Sequence, residues 1–542
     1  MWAPPLPTSP RWAARTVPAP WRTRLPLREQ APATAPAAAR SGAPPTGARL
    51  LLVANRLPVT VRTEPGGVRI APSTGGLATG LSRVHARGDT LWIGWGGEPA
   101  SSGAPSAGPP PRAAHARLLA ERRLVEVPLS ADELVGYYDR FANQVLWPVL
   151  HDRSELAAHA TSADWAAYRA VNARFAETVA RLAQPGDRVW VHDYHLLLVP
   201  RLLRLRLAEL GTPAVQIGVF LHTPVPTLAG VAALPRGAAL LHGLLGADVV
   251  GVHTAGDAAR LAEAAAAVLG CASTPTGLVD GVGDDGTGGR SASRGRRSVH
   301  VQVNPMSVDV AAFADATGAA PRRDAGAPLF LGVDRLDYTK GLPQRLDAFE
   351  RLLERTPALR GHARLLQIAV PTRETVPAYA ALRRQVEARV ARINTRFGDA
   401  RWTPVEYVYG TVDHATLVAL YRAADVMLVT PLRDGMNLVA KEFVASRTDD
   451  DGVLVLSTGA GAAAELRSAL LVEPGDVEAL CAAYAAALAM SPAERRVRMR
   501  RLRRVVTRHD VHQWARVALL GLGRDLSDPP GDDVAPARAA TG

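Results

Sequence analysis

The chain has 542 residues, 63 basic against 51 acidic, a formal net charge of +12 and 47% apolar content. That length calls for two or more domains with sizeable cores, and a charged fraction of 21% with mean hydropathy of +0.01 excludes a wholly disordered chain. Two cysteines, Cys271 and Cys481, exclude a disulfide framework and a Cys-rich zinc site, and a reducing cytoplasm suits them.

Residues 1–47 are rich in Pro, Ala and Arg without periodicity and are expected to be disordered. Their acid-poor balance imitates a transit peptide, and a mis-assigned start codon explains it as economically. Seven arginines against Glu29 give residues 1–49 a net +6, and eight arginines against Glu494 and Asp510 give 494–510 another +6. A folded nucleic-acid surface interleaves basic and aromatic residues across a domain. A solvated tail and a basic helix are therefore expected, with no nucleic-acid partner.

From Arg49 the texture changes. Runs 50–54 (LLLVA), 188–191 (RVWV), 216–221 (QIGVFL) and 248–252 (DVVGV) read as buried strands, with helices at 165–182 and 200–210 between them. The uncharged stretch 212–235 holds four prolines, so it reads as a strand followed by a loop and not as a membrane helix. Surface loops are expected at 99–111 and 276–298. A second series has strands at 329–333, 364–369, 405–409, 426–430 and 453–457, and helices at 342–355, 376–396, 414–423 and 477–489. A helix at 492–506 follows.

The predicted organisation is a 1–47 extension, a first α/β domain 48–311, a linker 312–328 and a second α/β domain 329–490. A helical segment 491–523 is expected to pack back on the first domain, before a tail, 524–542. Two doubly wound parallel-sheet domains face each other across a deep cleft, and ligands bind at the carboxyl ends of such strands.

Of the 63 basic residues 61 are arginine. Lysine occurs twice, as Lys340 and Lys441. GC-rich codon usage accounts for the bias at most positions, which leaves the lysines as places where a compact ammonium matters. In VDRLDYTKGL (333–342) Arg335 and Lys340 lie between a strand and a helix, an arrangement suited to a diphosphate. A strand-end loop with a solvated charge pair explains it equally well. In TPLRDGMNLVAKE (430–442), Gly435 permits a tight turn into a helix beginning near Asn437. Asp434 is placed to accept from sugar hydroxyls and Glu442 from a ribose diol, although an isolated RDG is more often a simple turn.

These segments join ANRLPV (54–59), STGGLATGL (73–81), LWIGWGG (91–97), FANQVLWPVLH (141–151), VHDYHLLLVP (191–200) and FLHTPVP (220–226). In this order, from about residue 50 to 520, the chain resembles the retaining glycosyltransferase family of trehalose-6-phosphate synthases, whose fold is the two-Rossmann-domain GT-B. The resemblance implies that Arg335 and Lys340 hold the donor diphosphate. It implies that Asp434, Gly435, Met436, Asn437, Leu438 and Val439 form the donor-hexose and phosphate loop, and that Glu442 contacts the ribose. Gly75 and Gly76 match the glycine loop over the donor. Arg56 and Arg373 match a clamp on the acceptor's 6-phosphate, Tyr138, Trp147 and Asp193 the sugar pocket, and His222 a donor-sugar contact. The catalytic set so implied is Asp193, His222, Arg335, Lys340 and Asp434.

The resemblance further implies a cytoplasmic enzyme that moves glucose from a nucleoside diphosphate glucose to glucose 6-phosphate, with small-molecule substrates, no cofactor, no metal and no membrane. Homo-oligomerisation, the donor base and the role of Lys441 stay open. HDYH (192–195) superficially suggests a metal, but no further ligand cluster accompanies it. Trp92, Trp95 and Trp147 read as core or pocket wall. The chain departs from the family at TLAGVAALP (227–235), which lacks an acidic residue and a Phe, and at PMSVD (305–309), where Ser307 replaces Gly. The rival readings are a sister enzyme with another phosphorylated acceptor, such as glycerol 3-phosphate, and a catalytically silent regulatory subunit that binds sugar phosphate.

Overall fold

The run LLLVA extends to Arg56 as β1 (Leu50–Arg56), whose first six residues are buried. Such a strand must be covered on both faces. In the computed structural model it is central to a large sheet. The structure describes residues 49–523 apart from 65–66, 73–75, 100–116, 213, 275–276, 280–296 and 317–326. The expected extension 1–47, tail 524–542, Gly75 and most of both expected surface loops lie outside them.

The first domain contributes β1, a hairpin of β2 (Val59–Glu64) and β3 (Gly67–Pro72), β4 (Thr90–Trp95), β5 (Leu124–Glu126), β6 (Arg188–His192), β7 (Gln216–Phe220), β8 (Val249–Val252), β9 (Ala272–Thr274), β10 (Gly277–Val279) and β11 (Ser298–Val303). Among the described residues nine of these form one sheet in the order β5-β4-β1-β6-β7-β8-β11-β10-β9. It is parallel from β5 to β11, with β10 antiparallel to both neighbours. The second sheet, from β12 (Leu329–Arg335), β13 (Arg364–Val370), β14 (Val405–Tyr409), β15 (Val426–Val429), β16 (Val453–Ser457) and β17 (Leu470–Val472), is parallel throughout, in the order β14-β13-β12-β15-β16-β17. Apolar clusters cover both faces of each sheet. These are two Rossmann-like domains.

Several expectations need correction. The segment after β7 is not a plain loop, because Thr227 caps a short helix, Leu228–Ala233, through Gly230 N–H. The expected linker 312–328 begins inside another helix, Val310–Ala314, held by the buried side chain of Phe313. Both ends of the expected loop 276–298 are strands, since β10 pairs across it with β11. Residues 491–523 divide between the domains. The helix Pro492–Arg508 lays Met499, Leu502 and Val506 on the core of the second domain, beside Phe443 and Leu454. Only Val511–Gly521 returns to the first, where Trp514 packs against Trp190 and Phe220. The first helix stays behind because its apolar stripe matches the second domain. Part of its charge is paired: Arg500 and Arg503 with Asp450, and Arg495 with Asp451.

Candidate active site

Most of the site sits at strand carboxyl ends, with β1, β6 and β7 on one side and β12, β13 and β15 on the other. After β12, Asp337 caps a single turn, Tyr338–Lys340, and Gly341 (φ 67°) starts the helix Leu342–Arg355. A Cβ on Gly341 would lie 2.3 Å from the Thr430 carbonyl oxygen, so glycine is required both for the dihedral and for the approach. The turn is fixed from below by Arg345. This guanidinium is fully buried, bonded to Gln367 (2.8 Å) and Thr430 (3.1 Å), and paired with Asp334.

This scaffold brings the Lys340 ammonium 2.5 Å from Asp434 Oδ2. Asp434 Oδ1 accepts from the Gly435 N–H (3.0 Å). A Cβ on Gly435 would lie 2.0 Å from the His222 carbonyl oxygen, so the two domains meet here at backbone contact. Met436 is buried, and its carbonyl accepts from Ala462. Asn437 (φ 62°) then opens the helix Leu438–Ser446, one residue later than expected, and the N–H groups of its first turn have no intrahelical acceptor. Just over one turn in, Glu442 Oε2 accepts from Tyr421 Oη (2.8 Å), and burial raises the pKa of its carboxyl.

Lys441 points the other way. Its buried ammonium donates to the Met306 carbonyl (2.8 Å) and pairs with Glu465 (2.6 Å). The second lysine therefore ties the helix Leu438–Ser446 to the segment that runs between the sheets, which includes the buried Ser307.

The facing wall is built by a π-type helix, Leu134–Leu146, with the Trp147 N–H bonded five residues back to Ala142. Such wide turns recur at functional sites. Trp147 follows, and its indole carries two cations: the Arg373 guanidinium carbon 4.0 Å and that of Arg335 5.3 Å from the ring centroid. Arg373 donates to Asp337 (3.3 Å), Tyr379 (2.5 Å) and Tyr194 (3.1 Å). Arg56 is exposed beside Trp95, 5.1 Å from its ring, and reaches Thr60 at 3.5 Å. A row of rings joins these two arginines: Trp95 to Tyr138 (6.5 Å), Tyr138 stacked on His195 (5.6 Å), and His195 on Tyr194 (4.0 Å).

Asp193 follows β6 at φ 74°, and its Oδ1 accepts from the His222 N–H (3.2 Å). Burial pushes its pKa up to about 6 against the pull of backbone N–H groups and of Arg335 and Arg373. Burial also acts upward on Asp434, but Lys340 together with His151 and Arg335 outweighs it and holds that carboxyl below the ordinary range. Asp337 is likewise depressed, since Arg373, Arg335 and Lys340 together outweigh its burial. His192 and His222, whose ring nitrogens lie 3.2 Å apart, are held neutral by burial. Three expected site residues, Asp193, Arg373 and Asn437, have positive φ without being glycine. Such strain persists where the surroundings impose it, and it concentrates at functional sites.

The structure thus brings together Asp193, His222, Arg335, Lys340, Asp434, Gly435, Asn437, Tyr138, Trp147 and Arg373. Arg56 stands at the far end of the aromatic row. Gly76 is the first residue of the helix Gly76–His85. The histidines of HDYH serve ring packing and His222, and among the described residues no cluster of His, Cys, Asp or Glu suits a metal. Trp92 is core, with its indole N–H on the Arg56 carbonyl.

Sequence reasoning missed Asp337, Tyr194, Tyr379 and Arg345. It also missed Arg433, which bonds the Val225 carbonyl (3.2 Å) and, with Arg260, pairs with Asp152 across the cleft. Asp337, Tyr194 and Arg433 lie inside quoted motifs, but nothing in their spacing shows that they face a second domain.

Two parallel-sheet domains that set arginines, a lysine and a helix N-terminus around an aromatic, carboxylate-lined cleft define a nucleotide-sugar glycosyltransferase of the GT-B class. Residues 48–522 match Glycosyltransferase family 20, and the chain belongs to that family. It is 42% identical over 493 residues to the trehalose-6-phosphate synthase of Mycolicibacterium vanbaalenii, covering 88% of this chain and 96% of the relative. It is 39% identical over 490 residues to a bifunctional trehalose-6-phosphate synthase/phosphatase of Thermoproteus tenax, 86% of this chain but only 62% of that longer protein. Among solved structures, an alpha,alpha-trehalose-phosphate synthase (UDP-forming) from Burkholderia xenovorans in complex with glucose-6-phosphate is similar at TM-score 0.74 and 33% identity, covering 88% of this chain and all of the other. Among the described residues no helix is long and apolar enough to cross a membrane.

Proposed function

We propose that this protein transfers glucose, with retention, from a nucleoside diphosphate glucose to glucose 6-phosphate, giving α,α-trehalose 6-phosphate. The observation that carries the reading is the Trp147 indole, which holds Arg335 and Arg373 against one ring. The reading gives one cation to a leaving diphosphate and the other to an acceptor phosphate; Arg335 ends β12, and Arg373 follows the adjacent strand β13. UDP-glucose is the first donor to try, because the Burkholderia relative is UDP-forming.

In this reading the bond from the anomeric carbon to the diphosphate oxygen breaks while the acceptor hydroxyl attacks the same face. The hydroxyl proton passes to the departing diphosphate. The protein supplies no nucleophile. Arg335, Lys340 and the N-terminus of Leu438–Ser446 stabilise the charge that develops on the leaving group. Among the described residues, two of the five N–H groups of Arg373, Nε–H and one terminal N–H, have no partner and are available to the acceptor phosphate, and with Arg56 it orients that substrate. The reaction takes no metal or cofactor. Two buried free cysteines suit a cytoplasmic setting.

The test is purified protein offered UDP-, GDP- and ADP-glucose against glucose 6-phosphate and glycerol 3-phosphate, scored for nucleotide release and product. Release only with glycerol 3-phosphate overturns the acceptor. No release with any pair favours a regulatory, binding-only protein.

A further inference from the structure

His151 ends the FANQVLWPVLH segment, and the chemistry above leaves it unused. Its side chain is 1% exposed. Nδ1 lies 2.8 Å from the Trp147 carbonyl oxygen, one helical turn back. A carbonyl only accepts, so Nδ1 carries the hydrogen. Burial lowers the pKa to about 4, so the ring is neutral near pH 7 and has no second N–H. Nε2 is therefore a bare lone pair, and it is buried with no hydrogen-bond partner among the described residues. A buried acceptor of this kind is rare unless something outside the chain donates to it.

The surroundings indicate what that donor is. The His151 ring packs 4.0 Å from the Trp147 ring, which on its own account faces Arg335 and Arg373. Of the charged groups that act on His151, Asp434 is the strongest, followed by Asp337 and Lys340, all from the opposite domain. Asp434 is held ionised and can only accept, and the Lys340 ammonium bonds Asp434 without reaching Nε2. The missing partner belongs in the donor-sugar part of the cleft, where a hexose offers hydroxyl groups.

We propose that His151 Nε2 accepts a hydrogen bond from one hydroxyl of the glucose being transferred, and so selects donors that carry that hydroxyl. This rests on the transferase reading above and deepens it by naming a specificity contact.

Two substitutions separate the nitrogens. In His151→Asn the amide nitrogen occupies the Nδ1 place and keeps the bond to Trp147, with no atom at Nε2. In His151→Gln the amide reaches the Nε2 place. Expected is a fall in kcat/KM for the wild type's preferred donor on the order of 10–100-fold in H151N, a smaller fall in H151Q, and little change in Tm or in KM for glucose 6-phosphate.

The donor is then offered in its 2-, 3-, 4- and 6-deoxy forms. One of them is used poorly by wild type yet equally by wild type and H151N, because both lack the same bond. Equal and additive losses for all four, or a normal H151N beside a damaged H151Q, overturn the proposal. If H151N does not fold, H151Q carries the test through a change confined to one deoxy position, and four unchanged ratios overturn it. A wild type inactive with every donor removes the transferase reading and this contact together. An active wild type with an indifferent H151N removes this contact alone.

Discussion

Lys340 Nζ and Asp434 Oδ2 are 2.5 Å apart, with side chains only 7% and 13% exposed. They come from different strand ends, β12 and β15, so the pair forms only when the second sheet is assembled. Lysine suits this place because its single ammonium can turn from a carboxylate toward an incoming phosphate oxygen, which a planar guanidinium already stacked and forked cannot do.

Lys340→Ala therefore lowers kcat by about 10²–10³, the usual loss when one donor to a developing anion is removed, while KM for glucose 6-phosphate moves little. Lys340→Arg does not restore turnover. Steady-state kinetics with both substrates varied checks this, and near-normal turnover in the alanine variant sinks the assigned role.

Arg373 has two duties that substitutions can divide. It holds the buried Asp337 below the ordinary carboxylate range, and in the proposed reaction it presents its remaining N–H groups to the acceptor. Arg373→Met leaves Asp337 buried without its main cation and destabilises the fold by about 3–5 kcal/mol. Arg373→Lys keeps the charge but loses the fork and the flat stack on Trp147, so it folds and raises KM for glucose 6-phosphate about 10–100-fold. Denaturant melts beside kinetics distinguish the two. A lysine variant with unchanged acceptor KM removes Arg373 from the clamp.

Asp193 gives a pH signature with a definite sign. Its carboxyl titrates at about 6 in the folded chain and near about 3.9 when unfolded. The folded value is the higher one, so its contribution is most favourable below pH ~4 and is lost as pH rises toward 6. Asp193→Asn cannot ionise, and its Tm relative to wild type accordingly rises between pH 4 and 6 and is then constant. In the proposed reaction the ionised form accepts from sugar hydroxyls, so wild-type kcat/KM is expected to have an acid limb near pH 6. Burial raises the Glu442 carboxyl as well. The part that disappears in D193N belongs to Asp193, and a Tm difference that falls with pH contradicts its placement.

Lys441 is bonded to the Met306 carbonyl and Glu465, and its loss is felt as stability. Lys441→Met leaves Glu465 and the Met306 carbonyl without their cation, at a cost on the order of 2–4 kcal/mol. Adding Glu465→Gln recovers part of that loss, because the stranded charge is gone. Urea unfolding of the two variants reads the difference. A double variant weaker than the single one shows that the pair is not what Lys441 supplies.

Much of this protein was determined by the sequence itself. Short apolar runs such as 50–54 and 426–430 become central parallel strands because no half-exposed position exists in them. The glycines of GMNL and TKGL mark turns that only glycine tolerates. Family motifs placed Arg335, Lys340, Asp434 and Arg373 at or just beyond the carboxyl ends of strands, where the structure has them. Local signals also set the helices within a few residues, through Thr161, Asp413 and Ser491 as caps.

Tertiary structure alone decided which residues meet across the cleft. Arg433 and Asp152 are far apart in the chain, and so are Arg373 and Tyr194, and no periodicity records that they touch. The two lysines, identical in the sequence, were separated the same way. Lys340 turns inward because a neighbouring strand end supplies Asp434, whereas Lys441 is drawn to Met306 and Glu465 by the segment that crosses between the sheets. Charge and spacing belong to the chain. The partner of a buried charge is fixed only when two distant strand ends are packed together and water is excluded between them.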